Sequence, residues 1–222
     1  MFLAACKGRR HRLYCAAYRG VDESRTDKLM GLIVLIAGLV IFLCSHLFVT
    51  RRDARAAMIA RLGTNGYRAA FSVVSIVGLV LIVWGFGHYR AGGYIDVWSP
   101  PAFMRHISVL LMLFASIFLT AVFIPSHIKA KLKHPMLASV KTWALAHLLV
   151  NGDLGSILLF GSMLAWAVFA RIAAKRRADA VIPVAPAGWI NDGLVVVIGI
   201  VVYLALGFVF HPILIGVPAF GV

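Results

Sequence analysis

The sequence is poor in charged residues, in acidic residues above all, and in cysteine. Only 14% of its 222 residues are charged and 62% are hydrophobic, against about 25% and roughly 45–50% in average soluble domains. A soluble fold of this length cannot bury so much apolar surface, so the composition predicts a membrane protein. Three cysteines are too few for a disulfide framework. The chain also has no Cys-x-x-Cys motif, which excludes c-type haem attachment and a zinc knuckle.

The scarcity of acidic residues produces a strong positive charge. Eight aspartates and glutamates stand against 22 lysines and arginines, which gives a net charge of +14. Such an excess often indicates nucleic-acid binding. Here the basic residues lie between apolar runs, as in membrane proteins, and no basic stretch is interleaved with aromatic residues. We therefore expect the lipid bilayer as partner and no nucleic acid.

The apolar runs predict the fold class. A helix needs about 20 apolar residues to cross the hydrocarbon core of a bilayer. The fourth run is short and contains Lys141. The pattern predicts an all-α, polytopic transmembrane bundle of about six helices, over 30–50, 69–89, 106–126, 136–150, 153–171 and 192–214.

The basic residues between the runs support the short fourth crossing. The loops 51–68, 127–141 and 171–191 contain five, four and four lysines and arginines, whereas 90–105 contains two. Six crossings place the three loops that are rich in lysine and arginine on one side of the membrane. By the positive-inside rule, this side is the cytoplasm. Five crossings would move the cluster at 171–177 to the other side.

The first 29 residues fit this topology badly. They contain seven lysines and arginines, which pull the amino terminus towards the cytoplasm, while the loop 51–68 pulls the first helix the other way. We interpret 1–29 as a disordered basic extension or a mis-assigned start before Met30, and 30–222 as the transmembrane domain.

Histidines are the main ionisable residues inside the apolar runs. Ionisable groups in a membrane are rare and are candidates for functional roles. Most single histidines are hydrogen-bonded packing residues, but a neutral imidazole in an apolar pocket also binds haem iron. Carboxylates, which acid–base catalysis and proton-coupled transport usually employ, are almost absent there. The candidates are His46, His88, His147 and His211, with His106, His127 and His134 at the membrane edges and Asp153 beside a run.

Two of these histidines have depths that suit a shared cofactor. His46 is expected about 6–8 Å inside the edge marked by Arg51, and His147 at most about 18 Å inside the same edge. Two such rings on different helices could hold a haem between them, although His147 could instead reach towards His88 and His211. Trp143 lies one helical turn before His147 and could cover it.

Several short segments resemble the signature of the NnrU family of small polytopic membrane proteins. The resemblance extends over about 30–222 and is most specific over 134–161. A histidine that ends the first apolar run before arginines also matches. The segments are His134-Pro135-Met136-Leu137, Trp143 to Leu149, Asn151-Gly152-Asp153, Phe160-Gly161, Ser45-His46-Leu47-Phe48 and Gly85-Phe86-Gly87.

The resemblance implies a location and a cofactor. Bacterial members of the family are linked to denitrification and nitric oxide metabolism, which implies the bacterial inner membrane. A plant relative, zeta-carotene isomerase, binds haem b through histidines and isomerises a central cis double bond of a carotenoid. By position, the resemblance makes His46 and His147 the expected axial ligands of the haem iron, with His88, His134 and His211 as reserves.

The residues around His147 have two interpretations. Asn151 and Gly152 are typical of a turn, and Asp153 can cap the next helix. Alternatively, Trp143, Asn151 and Asp153 support the ligating histidine or the haem. His134-Pro135 is interpreted first as the beginning of a helix, with proline in its first turn.

Three functions remain open at the level of the sequence. The first is a haem b protein of isomerase or redox type that takes an apolar substrate from the lipid. The second is a non-enzymatic membrane sensor of nitric oxide or an assembly factor for denitrification. The third is a small transporter without a cofactor, for which the apolar runs offer few polar residues. Purified protein with an absorption band of haem would favour the first two.

Overall fold

The computed structural model of the chain describes residues 9–176, 183–185 and 187–220, with side chains from residue 25 onward. These residues form seven α-helices and one π-helical segment and contain no β-strand, which confirms the all-α prediction. One isolated bridge joins Asp96 to Asp153. The helices are α1 (Arg9–Phe48), α2 (Arg52–Ala91), α3 (Met104–Thr120), α4 (His127–Leu132), α5 (Pro135–Leu148), α6 (Leu154–Lys175) and α7 (Ile190–Ala205), which the π-helical segment (Leu206–Ile215) continues.

The apolar helices indicate an integral membrane protein. Four described segments are long and apolar enough to cross a bilayer, namely Arg25–Phe48, Arg52–Ala91, Leu154–Lys175 and Ile190–Ile215. The two remaining predicted crossings are also helices, α3 and α5. With 14 residues, α5 extends about 21 Å, less than the roughly 30 Å of a hydrocarbon core. Its crossing, and with it the sidedness of the loops, stays a prediction.

Two of the differences from the predicted boundaries have a local cause. The third apolar run was expected to continue to 126, but α3 ends at Thr120 because a turn precedes Pro125. The segment 51–68, expected as a loop, is mostly helical because its alanines, arginines and leucine are good helix formers. This helix bends at Gly63, whose φ of 71° and ψ of 166° lie outside the helical region.

The domain prediction for the amino-terminal segment is not tested. Residues 1–8 lie outside the described part of the chain, and the backbone of 9–29 forms the first half of α1. Whether 1–29 is a disordered extension or a mis-assigned start stays a prediction.

The chain divides into two compact units. The first consists of Met1–Asp96 with Asp153–Gly155, and the second of Val97–Gly152 with Ser156–Val222. The first unit is built on the pair α1 and α2, and the second contains α3, packed against α5 and α7.

Glycines hold α1 and α2 in close contact. Gly31 and Gly38 are seven residues apart on α1, and Gly78 and Gly85 are seven apart on α2. A Cβ atom at Gly38 would lie 2.7 Å from the Ile82 nitrogen, and one at Gly85 would overlap the Leu35 nitrogen. In lipid, where burial of apolar side chains gives little driving force, such close backbone approach is a main source of helix association.

In the second unit, buried serines connect α3 to α5. The Ser108 hydroxyl donates to the Ala146 carbonyl, and the Ser139 hydroxyl donates to the Ala115 carbonyl, each at 2.8 Å. On the other side, α7 approaches α3 through Gly199, where a Cβ atom would lie 2.8 Å from the Ile117 Cα. These contacts fix the position of α5, which carries the candidate site.

We predict that Gly85→Ala lowers the free energy of unfolding by about 1–3 kcal/mol, because the added methyl group would force α1 and α2 apart. Gly87→Ala is the matched control, since a Cβ atom there meets no other atom within 4 Å. Thermal denaturation of the two variants in the same detergent measures the difference. Equal stability of the two variants would contradict the account of the helix pair.

Candidate functional site

His147 lies near the carboxyl end of α5, which begins at Pro135 as the sequence predicts. Its Nδ1 atom donates a hydrogen bond to the Trp143 carbonyl at 2.9 Å. Because a carbonyl oxygen only accepts, Nδ1 carries the proton and Nε2 of the neutral ring keeps its lone pair. His147 is therefore held in the tautomer that binds a metal through Nε2.

Aromatic rings enclose one side of His147. Phe160 of α6 is nearly parallel to it, with ring centroids 4.5 Å apart and an interplanar angle of 26°. Trp143 lies 5.3 Å from His147 and 5.1 Å from Phe160, centroid to centroid. Trp143 and Phe160 thus make the surroundings of the His147 imidazole apolar, and a role of Trp143 in supporting a ligand stays a prediction.

His211 lies in the π-helical segment, next to Pro212. Proline has no backbone N–H and would clash with a carbonyl of the preceding turn in an α-helix, and the wider π turn accommodates it. The His211 Nδ1 atom donates to the Leu206 carbonyl at 2.8 Å. This ring, like that of His147, keeps its lone pair on Nε2. Short π segments are frequent at functional sites.

The structure brings His147 and His211 together. Their ring centroids are 6.2 Å apart, and their planes differ by 21°. Both side chains are half-buried. The two rings lie on α5 and on the π-helical segment, both in the second unit. His147 is one of the two expected ligands, and His211 is one of the reserves.

His46 lies in the first unit, near the end of α1. Its Nδ1 atom donates to the Phe42 carbonyl at 2.7 Å, and its ring packs against Phe42 and Phe71 at centroid distances of 4.1 and 5.2 Å. It therefore has the same tautomer as the other two histidines. The pairing of His46 with His147 across the two units stays a prediction.

The other two reserve histidines lie in different surroundings. His88 is exposed near the end of α2, and its ring lies 4.3 Å from that of Trp84. His134 precedes α5 as its N-cap residue, although its side chain makes no capping hydrogen bond. A role of either histidine as a ligand stays a prediction.

Asn151 and Asp153 belong to different networks. The Asn151 side chain donates to the His147 carbonyl at 2.9 Å, which fastens the end of α5. The Asp153 carboxylate is hydrogen-bonded to Tyr89 in the first unit, whose hydroxyl also accepts from the Ile95 N–H at 2.9 Å. A role of Asp153 in supporting a ligating histidine stays a prediction.

Gly152 is required by close packing and not by unusual backbone angles. Its φ does not fall in the left-handed region, unlike that of Gly93 or Gly216. Its carbonyl accepts hydrogen bonds from the Val97 and Trp98 nitrogens at 3.0 and 3.1 Å, and a Cβ atom would overlap the Trp98 carbonyl oxygen. The turn was therefore predicted correctly, but the reason for its glycine was wrong.

Sequence reasoning missed a pairing between a histidine and an aspartate. The Asp192 carboxylate accepts from His127 Nδ1 at 2.7 Å and from the Ile128 N–H at 2.9 Å, and Trp189 stacks on the His127 ring at 4.1 Å. This carboxylate fixes the beginning of α4 against α7. The signal in the sequence was Asp192, an aspartate at the first position of the last predicted apolar run.

The described residues contain no group of three or more histidine, cysteine, aspartate or glutamate side chains that could hold a metal ion. A structural or catalytic zinc site needs three or four protein ligands. In this part of the chain, two imidazoles such as His147 and His211 would need an additional ligand set to bind a metal.

Comparison with known proteins supports the resemblance seen in the sequence. The family model described as "NnrU protein" matches residues 34–219, which is most of the chain. Among curated proteins and among solved structures, nothing matches the chain significantly.

We predict that Gly152→Ala lowers the free energy of unfolding by about 1–3 kcal/mol, because the methyl group would displace the Trp98 carbonyl and break the two hydrogen bonds to residue 152. The control is Gly161→Ala in α6, where a Cβ atom meets nothing within 4 Å. Thermal denaturation in detergent compares the two. A Gly152→Ala variant as stable as the control would show that the packing described here is wrong.

Proposed function

The chain belongs to the NnrU family, and from that premise we propose that it is an integral membrane protein that binds haem b through His147 and His211. The proposal places the iron in the second unit, between α5 and the π-helical segment. The resemblance implied His46 and His147 as the ligands. The proposal keeps His147 and replaces His46 with His211, one of the reserve histidines.

The observation that carries the proposal is the pairing of two imidazoles of the same tautomer. A metal binds an imidazole nitrogen at about 2 Å, so the centres of two rings that would hold one ion between them would be about 6 Å apart. The centroids of His147 and His211 are 6.2 Å apart. Each Nδ1 is engaged with a backbone carbonyl, as the second nitrogen of metal-binding histidines commonly is.

The surroundings of the pair also suit a porphyrin. The described residues contain no group of three metal-binding side chains, so a metal held by the two rings would need its other ligands from a macrocycle such as a porphyrin. Trp143 and Phe160 supply flat apolar surfaces beside His147, and an apolar environment excludes water from the iron. These features support haem over a free metal ion.

The chain's own residues would position the ligands. The Trp143 and Leu206 carbonyls fix the tautomer and orientation of the two rings, and the Phe160 ring limits rotation of His147. The Asn151 amide holds the last turn of α5 in place. Haem iron, when bound, would supply one-electron chemistry, and a small ligand such as nitric oxide would bind it where one of the two histidines leaves.

The resemblance to the NnrU family implies two candidate roles for this haem. One is in nitric oxide and denitrification metabolism in the bacterial inner membrane, with the basic loops in the cytoplasm. The other is cis–trans isomerisation of a carotenoid-like lipid. Nitric oxide and a carotenoid-like lipid both dissolve in the bilayer and would reach the haem through it. This route suits histidines that lie on apolar helices.

We predict that the protein purified in detergent has the Soret absorption of haem b, and that His147→Ala and His211→Ala each remove most of it. Loss of either imidazole would leave the iron with one protein ligand. Haem content per protein and the absorption spectrum of the ferric and ferrous forms measure the effect.

His88→Ala is the control for this experiment and should retain full haem. His46→Ala tests the alternative ligand pair, because a loss of haem in His46→Ala and not in His211→Ala would restore the pairing inferred from the sequence. If His147→Ala and His211→Ala both keep a full and unchanged spectrum, the proposed ligand assignment is wrong.

The two roles are separated by activity in cells that accumulate zeta-carotene. An isomerase would convert the central cis bond under reducing conditions, whereas the His147→Ala variant at equal expression would not. Absence of conversion by a haem-loaded protein would exclude this substrate and favour the non-enzymatic role in nitric oxide metabolism.

A further inference from the structure

The amino-terminal part of α2 folds back onto the part that follows Gly63. Residues 52–62 form a helix that ends at the bend, and the guanidinium carbon of Arg55 lies 5.7 Å from the centroid of the Tyr67 ring. In an uninterrupted helix, residues 12 apart would be separated by about 18 Å along the axis. The contact therefore depends on the bend, where glycine alone adopts the observed angles readily.

Tyr67 has a buried hydroxyl with an unmet hydrogen-bonding requirement. The residue is 8% exposed, and its hydroxyl has no hydrogen-bond partner among the described residues. Burying a polar group without a hydrogen-bond partner costs about the free energy of removing that group from water. A ligand oxygen that accepts from this hydroxyl would remove the cost, so the position favours a ligand with an oxygen acceptor.

The charge of the segment 51–68, which contains Tyr67, indicates the sign of that ligand. Five arginines lie between residues 51 and 68, against one aspartate, Asp53. A guanidinium group binds phosphate oxygens with a geometry that matches its planar fork. The combination of Arg55 with the Tyr67 hydroxyl is therefore suited to a phosphate group.

The position along the chain indicates the source of the phosphate. The apolar part of α2 begins directly after Arg68, so Tyr67 is expected at the level of the lipid headgroups, where tyrosines are enriched. The helix 52–62, which precedes Tyr67, exposes 36% of the surface of Met58 and 48% of that of Leu62. A helix with arginines and exposed apolar side chains next to a membrane span is typical of one lying on a bilayer surface.

We propose that Arg55 and Tyr67 form a binding site for the phosphate of an anionic phospholipid, closed by the helix 52–62. Arg55 pairs with the phosphate charge, and the Tyr67 hydroxyl donates to one of its oxygens. The site lies in the first unit and does not depend on the haem proposal.

The opposite end of α2 provides an internal comparison. Arg90 lies over the ring of Tyr94 at 5.0 Å, but here the guanidinium also donates to the tyrosine hydroxyl, at 3.0 Å. This hydroxyl already has a partner, and Tyr94 is 50% exposed. An arginine above a tyrosine is therefore not sufficient for the proposed site, which also needs the buried hydroxyl of Tyr67.

The test measures binding of phosphatidylglycerol to the full-length protein in detergent by native mass spectrometry. We expect Tyr67→Phe and Arg55→Gln each to weaken this binding about tenfold, the equivalent of one hydrogen bond to a charged group. Tyr94→Phe should bind phosphatidylglycerol like the natural protein. Phosphatidylcholine should bind more weakly than phosphatidylglycerol, and inorganic phosphate at the same concentration should not compete.

Tyr67→Phe decides the outcome, because it keeps the ring and removes only the hydroxyl. If this variant binds phosphatidylglycerol as tightly as the natural protein, the site is wrong. Competition by inorganic phosphate would overturn the lipid as ligand in favour of a soluble anion, and equal binding of phosphatidylcholine would overturn the preference for an anionic lipid.

Discussion

The hydrogen bond from an imidazole Nδ1 to a carbonyl of the preceding turn is the interaction on which the candidate site depends. Within a bilayer there is no water to satisfy a ring N–H, and the backbone supplies the acceptor at His46, His147 and His211. Each bond removes the cost of a buried donor and leaves the lone pair on Nε2. The need to satisfy the ring N–H inside the bilayer thus leaves Nε2, the nitrogen through which such a histidine would bind a metal, with its lone pair available.

Bringing two such rings together depends on how closely the helices approach. In the second unit, Ser108 and Ser139 connect α3 to α5, and Gly199 brings α7 against α3. The widened turn at Pro212 then sets the orientation of His211. The pair of histidines therefore results from small and polar residues at helix contacts, and not from the large apolar side chains, many of which are exposed to lipid.

Hydropathy predicted the apolar helices well because each extends over many residues and the requirement for an apolar surface is strong. The preference of proline for a first helical turn indicated the start of α5 at Pro135, and helical spacing placed Trp143 beside His147; both are local features of one helix. Hydropathy did not reveal the π-helical segment or the bend at Gly63, because it contains no information on which backbone carbonyl accepts from which N–H group. The pairing of His127 with Asp192, 65 residues apart, depends on tertiary packing, which a single sequence specifies only indirectly.

The central claim is that His147 and His211 ligate one iron, and electron paramagnetic resonance of the oxidised protein tests it most directly. Protein prepared with ¹⁵N-histidine should give a low-spin ferric signal with two strongly coupled histidine nitrogens, and the residual haem of His211→Ala should give a signal with one. A high-spin signal in the natural protein, or two coupled nitrogens that persist in His211→Ala, would contradict the account.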